Sequence, residues 1–343
     1  MQLEELGWTG FFASQQYAGV PGRVASAIRE CYVIWTEQGE IEASISGQIR
    51  HAGGMLPAVG DWVALRPGMP VIDSVFQRRT LLSRRQPGRA IDEQVLAANI
   101  DVLFVVSGLD HDFNERRIER YLVVARQSGA RLVILLNKAD LAASYGVDLA
   151  ATVERLERWS GGAKVLPLSA LSGKGLAALG ALLQPGQTAA LIGSSGVGKS
   201  TIVNGLLGES RQAVRQVREG DDRGRHTTTT RSLFRTPGGW LLIDMPGLRE
   251  IQLWAATQSL DSGFDDIREL AQECRFRDCT HAGEPGCAVK AAGFDADRLE
   301  NYNKMQRELD FLDRKADKRL MSETRARWKV IHKAMRKNPK QDW

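Results

Sequence analysis

The segment Leu191-Ile192-Gly193-Ser194-Ser195-Gly196-Val197-Gly198-Lys199-Ser200-Thr201 passes from an apolar run into a glycine-rich turn and then into helix-forming residues. Residues 188–192 read as a buried strand and residues 201–207 as a helix. Between them stand Gly193, four residues, and Gly198-Lys199-Ser200, a complete phosphate-binding loop. Glycine permits the dihedrals that turn successive backbone N–H groups around a β-phosphate, and the helix N-terminus adds partial positive charge. Lys199 is placed to reach the β- and γ-phosphates, and the Ser200 hydroxyl to bind Mg2+. An incidental Gly/Ser turn is the alternative; the strand, loop and helix together argue against it.

The 343 residues suit two or three domains, and a 43% hydrophobic content is enough for real cores. The first residues, Met1-Gln2-Leu3-Glu4-Glu5-Leu6, are acidic where a secretory leader is basic. No apolar run reaches the ~18 residues of a membrane span, so a cytoplasmic location and no membrane partner are expected. The four cysteines are too few for a disulfide framework, and three lie close together, which points to metal. The net charge of +5 is a mild bias towards polyanions.

Residues 23–83 carry five short β-like runs, at 24–28, 32–35, 41–45, 61–65 and 71–75, separated by Gly- and Pro-bearing turns. An OB-type β-barrel, a fold whose open face binds nucleic acid, is the economical expectation. Arg78, Arg79, Arg84, Arg85 and Arg89 would add a basic edge; a structural barrel with solvated arginines is the equally open reading of these residues. Beyond Asn99 the texture changes. The runs 100–106 and 131–136 are almost continuously apolar, as in strands buried on both faces of a parallel sheet, and helices are expected at 116–125 and 153–159.

The second apolar run ends in Asn137-Lys138-Ala139-Asp140, where an open α/β sheet places ligand contacts. The Asp140 carboxylate can accept from guanine N1–H and the exocyclic amine. Adenine leaves it unpaired, a difference worth about 10⁴ or more in discrimination. Asn137 is expected to tie this loop to the phosphate loop, with the Lys138 stem along the base. Ser169-Ala170, after the expected strand 165–168, resembles by its position the second guanine-contacting loop of GTPases, where the alanine N–H meets the base oxygen. In the polar segment 218–231, Thr228 or Thr229 is the candidate to complete the Mg2+ shell and sense the γ-phosphate; a flexible basic linker is the plainer reading. Residues 240–243 then form a strand leading to Asp244-Met245-Pro246-Gly247, with Asp244 holding Mg2+ through water and the Gly247 N–H meeting the γ-phosphate.

These are the parts of a GTPase in rotated order, since Asn137 and Ser169 precede Gly193. Circular permutation of a doubly wound sheet accounts for the order, because the termini of compact domains are often close. Leu248 follows Gly247 where many GTPases carry a water-orienting glutamine, so His226 in the switch segment becomes the candidate for that work; RNA contact or plain packing are its alternatives.

The spacing Cys274-x4-Cys279-x-His281-x5-Cys287 supplies three thiolates and an imidazole, which fits one structural, tetrahedral Zn2+. A free-thiol loop is less economical in a segment too short to build a core. Residues 297–337 read as helical and basic, with Met305, Leu309, Leu312, Leu320, Trp328, Ile331 and Met335 as packing positions. Basic density favours phosphate contacts with RNA over a merely solvated face.

The rotated order, the switch Gly224-Arg225-His226-Thr227-Thr228-Thr229 and the Cys3His spacing resemble the ribosome small subunit-dependent GTPase A family over nearly the whole chain. The resemblance implies an N-terminal OB-type barrel (1–95), a permuted P-loop GTPase domain (96–258) and a C-terminal zinc-binding, basic helical domain (259–343). It implies GTP hydrolysis to GDP, with Mg2+, stimulated by the small ribosomal subunit during late assembly, and binding to rRNA; a monomer is expected. Two other readings stay open: a non-catalytic RNA-binding factor that uses GTP as a conformational switch, and a permuted GTPase with a protein partner alone.

Overall fold

The computed structural model describes residues 1–28, 30–51, 55–85, 93–208, 231–245, 264–293 and 296–311. They fall into two compact units, one drawn from Met1–Arg84 and Gln94–Gln252, the other from Arg85–Glu93 and Leu253–Trp343.

In the first unit a short helix α1 (Gly10–Ala13) precedes strands β1 (Val20–Ile28), β2 (Cys31–Thr36) and β3 (Gly39–Ile45), then α2 (Gly47–His51), β4 (Trp62–Leu65) and β5 (Val71–Val75). All five strands fall on the runs read from the sequence. Alternation sets their faces: Tyr32, Ile34 and Thr36 of β2 point inward while Val33 and Trp35 are half-buried. β1 pairs with β2 and β4, β2 with β3, β3 with β5 in parallel, and β5 with β4, which closes a five-stranded barrel of the expected type. Its core holds Val24, Ile34, Val63, Leu65 and Ile72, each contributing roughly 1.5–3 kcal/mol by leaving water.

Strands β6 (Leu81–Arg85) and β7 (Glu93–Ala98) pair with each other after the barrel. There follow β8 (Val102–Gly108), α3 (Glu115–Gln127), β9 (Arg131–Asn137), α4 (Leu149–Trp159), β10 (Lys164–Pro167), α5 (Leu176–Gly180), β11 (Thr188–Gly193), α6 (Lys199–Leu207), β12 (Ser232–Arg235) and β13 (Leu241–Asp244). The order β10-β9-β8-β11-β13 is parallel throughout, and β8 and β11 are buried at every position. Asn114 caps α3 by accepting from Arg117 N at 3.2 Å, and Asp148 caps α4 by accepting from Ala151 N at 3.0 Å.

The barrel and this sheet are continuous. β12 lies antiparallel to β13 and meets β1 at Ser26–Ser232. A register shift between Val24 and Ser26 lets one strand close the barrel with its first half and join the second sheet with its other half. Arg23 sits at this junction, 1% exposed. Its guanidinium donates to Leu6 O, to Gly60 O at 3.3 Å, to Asn99 O at 3.2 Å and to Thr188 Oγ1 at 2.7 Å. Burial lowers its pKa to about 10. Thr188 opens β11, so a barrel side chain holds the root of the phosphate-loop strand.

The basic edge expected on the barrel is smaller than the sequence suggests. Arg78 is buried and paired with Asp61 at 2.7 Å, and Arg79 is paired with Asp101, so neither offers a free charge. Arg84 donates to Gln94 Oε1 at 3.0 Å, while Arg89 lies outside the described residues.

The second unit has helices Asp265–Ala271, Ala288–Ala291 and 296–311, with Phe264, Ile267, Val289, Met305 and Leu309 buried. Arg298 pairs with Asp266 and lies over the Phe264 ring at 5.2 Å. Met305 and Leu309 pack as read from the sequence; the tail positions from Leu312 onward lie outside the described residues.

Candidate nucleotide site and metal cluster

The carboxyl ends of β8, β9, β10, β11 and β13 share one edge of the parallel sheet, and every described phosphate- or base-loop residue sits there. Gly193 ends β11 at φ +151°, where a Cβ would stand 2.3 Å from Val106 O. Ser194, Ser195, Gly196 and Val197 form the loop. Gly198 caps α6 at φ +93°, where a Cβ would stand 2.2 Å from Asn137 Nδ2. Lys199, Ser200 and Thr201 make the first turn of α6. The Lys199 ammonium folds back over the loop and donates to Gly193 O at 2.7 Å and Ser194 O at 2.6 Å. Burial lowers its pKa to about 8.

Asn137, 2% exposed at the end of β9, joins three loops. Its Nδ2 donates to Val197 O at 2.8 Å and its Oδ1 accepts from Ala170 N at 2.9 Å. The tie to the phosphate loop is the one read from the sequence. The Ala170 N–H was expected at the base oxygen; here it is engaged by Asn137, so a base contact requires that bond to be shared. Lys138 adopts φ +61°, which throws its side chain back across the phosphate loop, and its ammonium donates to Gly196 O at 2.8 Å. Ala139 N donates to Leu168 O at 3.0 Å, which leaves Asp140 exposed at the rim. Ser169 N donates to Lys174 O at 2.9 Å and anchors the second loop. Asp244 ends β13, the parallel neighbour of β11. His226, Thr228, Thr229 and Gly247 lie outside the described residues.

Two side chains that the sequence did not single out support the loop. Asp110, just after β8, accepts from Lys138 Nζ at 2.5 Å, and Arg117 on α3 pairs with Asp112 while donating to Ser194 Oγ at 3.3 Å. No motif spacing signals either; only the fold brings them to the loop.

In the second unit Cys274, Cys279, His281 and Cys287 place their ligand atoms within 4.8 Å of one another. His281 Nδ1 lies 3.6 Å from Cys274 Sγ and 3.5 Å from Cys287 Sγ, and the two sulfurs are 4.0 Å apart. Tetrahedral zinc with bonds of about 2.0–2.3 Å has ligand–ligand edges of about 3.3–3.8 Å; the two His281–sulfur separations lie in that range, and the rest, all within 4.8 Å, need only a small contraction to reach it. His281 reaches in from φ +58°. Glu284, also missed in the sequence, holds this turn: its carboxylate accepts from Thr280 N at 2.9 Å, Thr280 Oγ1 at 2.5 Å, Ala282 N at 3.0 Å and Gly283 N at 3.1 Å. Those bonds from Thr280 and the adjoining N–H groups hold its carboxyl far below the ordinary range. Among the described residues no helix is long and apolar enough to cross a membrane.

A barrel joined to a parallel sheet whose guanine loop precedes its phosphate loop defines a circularly permuted P-loop GTPase. The RsgA GTPase family model matches residues 75–254, and a model for ABC transporters matches residues 176–340, a span that includes the same phosphate loop. The chain is 47% identical to the small ribosomal subunit biogenesis GTPase RsgA of Opitutus terrae, over 98% of this chain and 97% of that one. It is 43% identical to the protein of the same name from Methanosarcina acetivorans, over 95% and 90% respectively. Among solved structures, YjeQ from Thermotoga maritima superposes with a TM-score of 0.63 at 28% identity, covering 84% of this chain and 98% of that one. YloQ, described as a circularly permuted GTPase, gives a TM-score of 0.61 at 22% identity, covering 87% and 97%, and speaks for the fold alone. The chain belongs to the RsgA GTPase family and is a GTP-hydrolysing enzyme.

Proposed function

We propose that this GTPase acts in assembly of the small ribosomal subunit, hydrolysing GTP to GDP and phosphate when it engages the subunit and its rRNA. The observation that carries this reading is the Asn137 junction, which binds guanine loop, second base loop and phosphate loop into one nucleotide site. The names of the full-length relatives support the ribosomal setting. In this reading Asp140 selects guanine. Lys199 neutralises charge on the transferring phosphoryl group, and Ser200 with Asp244 holds Mg2+, which supplies further charge stabilisation there. Thr228 or Thr229 and Gly247 sense the γ-phosphate, and His226 orients the attacking water in place of a glutamine.

Residues 1–95 serve as the RNA-facing barrel, 96–258 as the GTPase module and 259–343 as a zinc-bearing, basic module on rRNA. Zinc at Cys274, Cys279, His281 and Cys287 is structural, because four protein ligands leave no position for a catalytic water. The protein works in the cytoplasm as a monomer.

The test is multiple-turnover GTP hydrolysis with and without small ribosomal subunits, with ATP as control. Strong stimulation confined to GTP is expected. Slow hydrolysis that subunits leave unchanged would refute the ribosomal reading. Binding to the subunit should also weaken steeply with salt, as phosphate contacts require; salt-insensitive binding would point to a protein partner instead.

A further inference from the structure

We propose that Asp110 is a positioning residue for guanine-nucleotide binding, acting through Lys138 to hold the guanine loop against the phosphate loop. The proposal rests on the reading of Asn137–Asp140 as the guanine loop. It assigns a role to a residue outside every motif.

Asp110 follows β8 by two residues and is 9% exposed. Leu109 N donates to Asn137 O at 2.8 Å, which continues the β8–β9 ladder beyond Gly108–Asn137 and fixes where Asp110 emerges. Its Oδ1 accepts from Asp112 N at 3.2 Å and its Oδ2 from Lys138 Nζ at 2.5 Å. The same ammonium donates to Gly196 O at 2.8 Å. Lys138 therefore bridges the β8 loop and the phosphate loop through its ammonium. Alone, a lysine at φ +61° on a loop has many rotamers to lose when a base arrives. Held at both acceptors, it has already lost them, and the ligand meets a fixed surface. Burial by itself would raise the Asp110 carboxyl, but the Lys138 hydrogen bond and charge, with the Asp112 N–H, hold it below the ordinary range. It is thus an anion throughout the physiological range, as this role requires.

The change Asp110→Asn is nearly isosteric and breaks the contact in a defined way. With its oxygen kept on the Asp112 N–H, the new amide turns its NH2 towards the Lys138 ammonium, donor against donor. Titration calorimetry of GDP into the full chain, Asp110→Asn, Lys138→Met and the double variant is the experiment. Each single change is expected to weaken GDP binding about tenfold, and the double variant to bind no worse than Lys138→Met. In steady state, Asp110→Asn should raise KM for GTP while kcat falls much less. Asp110→Glu, which keeps the charge, should recover part of the affinity, a result that loss of folding alone cannot give. Unchanged affinity in Asp110→Asn, or full additivity in the double variant, overturns the proposal. If Lys138→Met itself binds GDP normally, the reading of the guanine loop has failed, and the proposal with it.

Discussion

In the nucleotide site, Asn137 is the last residue of a strand with a hydrogen-bonded neighbour on either side, and three loops inherit their positions from that strand. In the Cys3His segment, His281 and its three cysteines lie on turns between short helices, with a few buried apolar side chains nearby and a single carboxylate, Glu284, organising the turn. One site is preorganised by a sheet that buries its core without the ligand. The other gathers four ligand atoms within 4.8 Å of one another on turns between short helices. Geometry in the first is a property of the fold; in the second, on the proposed zinc reading, it would be a property of the fold and the metal together.

The sharpest way to separate them is to remove the metal. Structural zinc in small domains carries about 10–16 kcal/mol of apparent binding energy that doubles as folding energy. Chelation should therefore abolish amide-exchange protection across residues 264–293, while GDP affinity changes by no more than about twofold. Loss of GDP binding on chelation would mean that the sheet does not hold the nucleotide site unaided.

Next is Arg23, which tests how far the barrel supports the phosphate-loop strand. Arg23→Leu removes the guanidinium donor from Leu6 O, Asn99 O and Thr188 Oγ1, while Gly60 O keeps its bond from Asn99 Nδ2 at 3.1 Å. A loss of about 3 kcal/mol in unfolding free energy is expected, read by denaturant titration. A near-neutral result would mean that water replaces the guanidinium and that the junction is looser than its burial implies.

Asn137→Ala acts within the nucleotide site itself. It removes two buried hydrogen bonds that join separate loops, so GDP affinity should fall by about 2–3 kcal/mol, with a smaller effect on unfolding. Equal losses in both would show that Asn137 holds the sheet rather than the site.

The same contrast explains what the sequence could and could not disclose. Barrel strands β1 to β5 and the buried strands β8, β9 and β11 follow from periodicity, because alternation and continuous apolar runs are local consequences of which faces are buried. The phosphate loop and the Cys3His set are legible because their chemistry demands a fixed spacing. Arg23 was not, since its acceptors come from positions 6, 60, 99 and 188, and no local pattern encodes such convergence. Asp110, Arg117 and Glu284 escape sequence reading for the same reason: each is a single charged residue, two in loops and Arg117 in the first turn of α3, given meaning only by what the fold brings to it. Arg78 and Arg79 misled as a basic edge because their partners, Asp61 and Asp101, are 17 and 22 residues away.

The smallest expected effect is the pH dependence of nucleotide binding. In the nucleotide-free protein the Lys199 pKa is lowered by burial to about 8 from an ordinary 10.5. A bound polyphosphate favours the charged lysine and raises that value. Below pH 8 the ammonium is already present, and binding involves no net proton at this group. Above it the free protein has lost the proton that the complex retains, so binding takes one up and GDP affinity falls, by at most about tenfold per pH unit. The unfolded chain also keeps this proton up to about 10.5, so the same group makes the nucleotide-free protein more stable as pH rises from 8 towards 10.5. Affinity and apo stability should thus move in opposite directions over one window. Calorimetry in buffers of different ionisation enthalpy reads the proton uptake, and Lys199→Met should abolish that part of the slope. If uptake is absent near pH 8, Lys199 is already fully charged in the empty loop. The carbonyls of Gly193 and Ser194 would then compensate its burial as a phosphate does, and preorganisation of the site would extend to its charge.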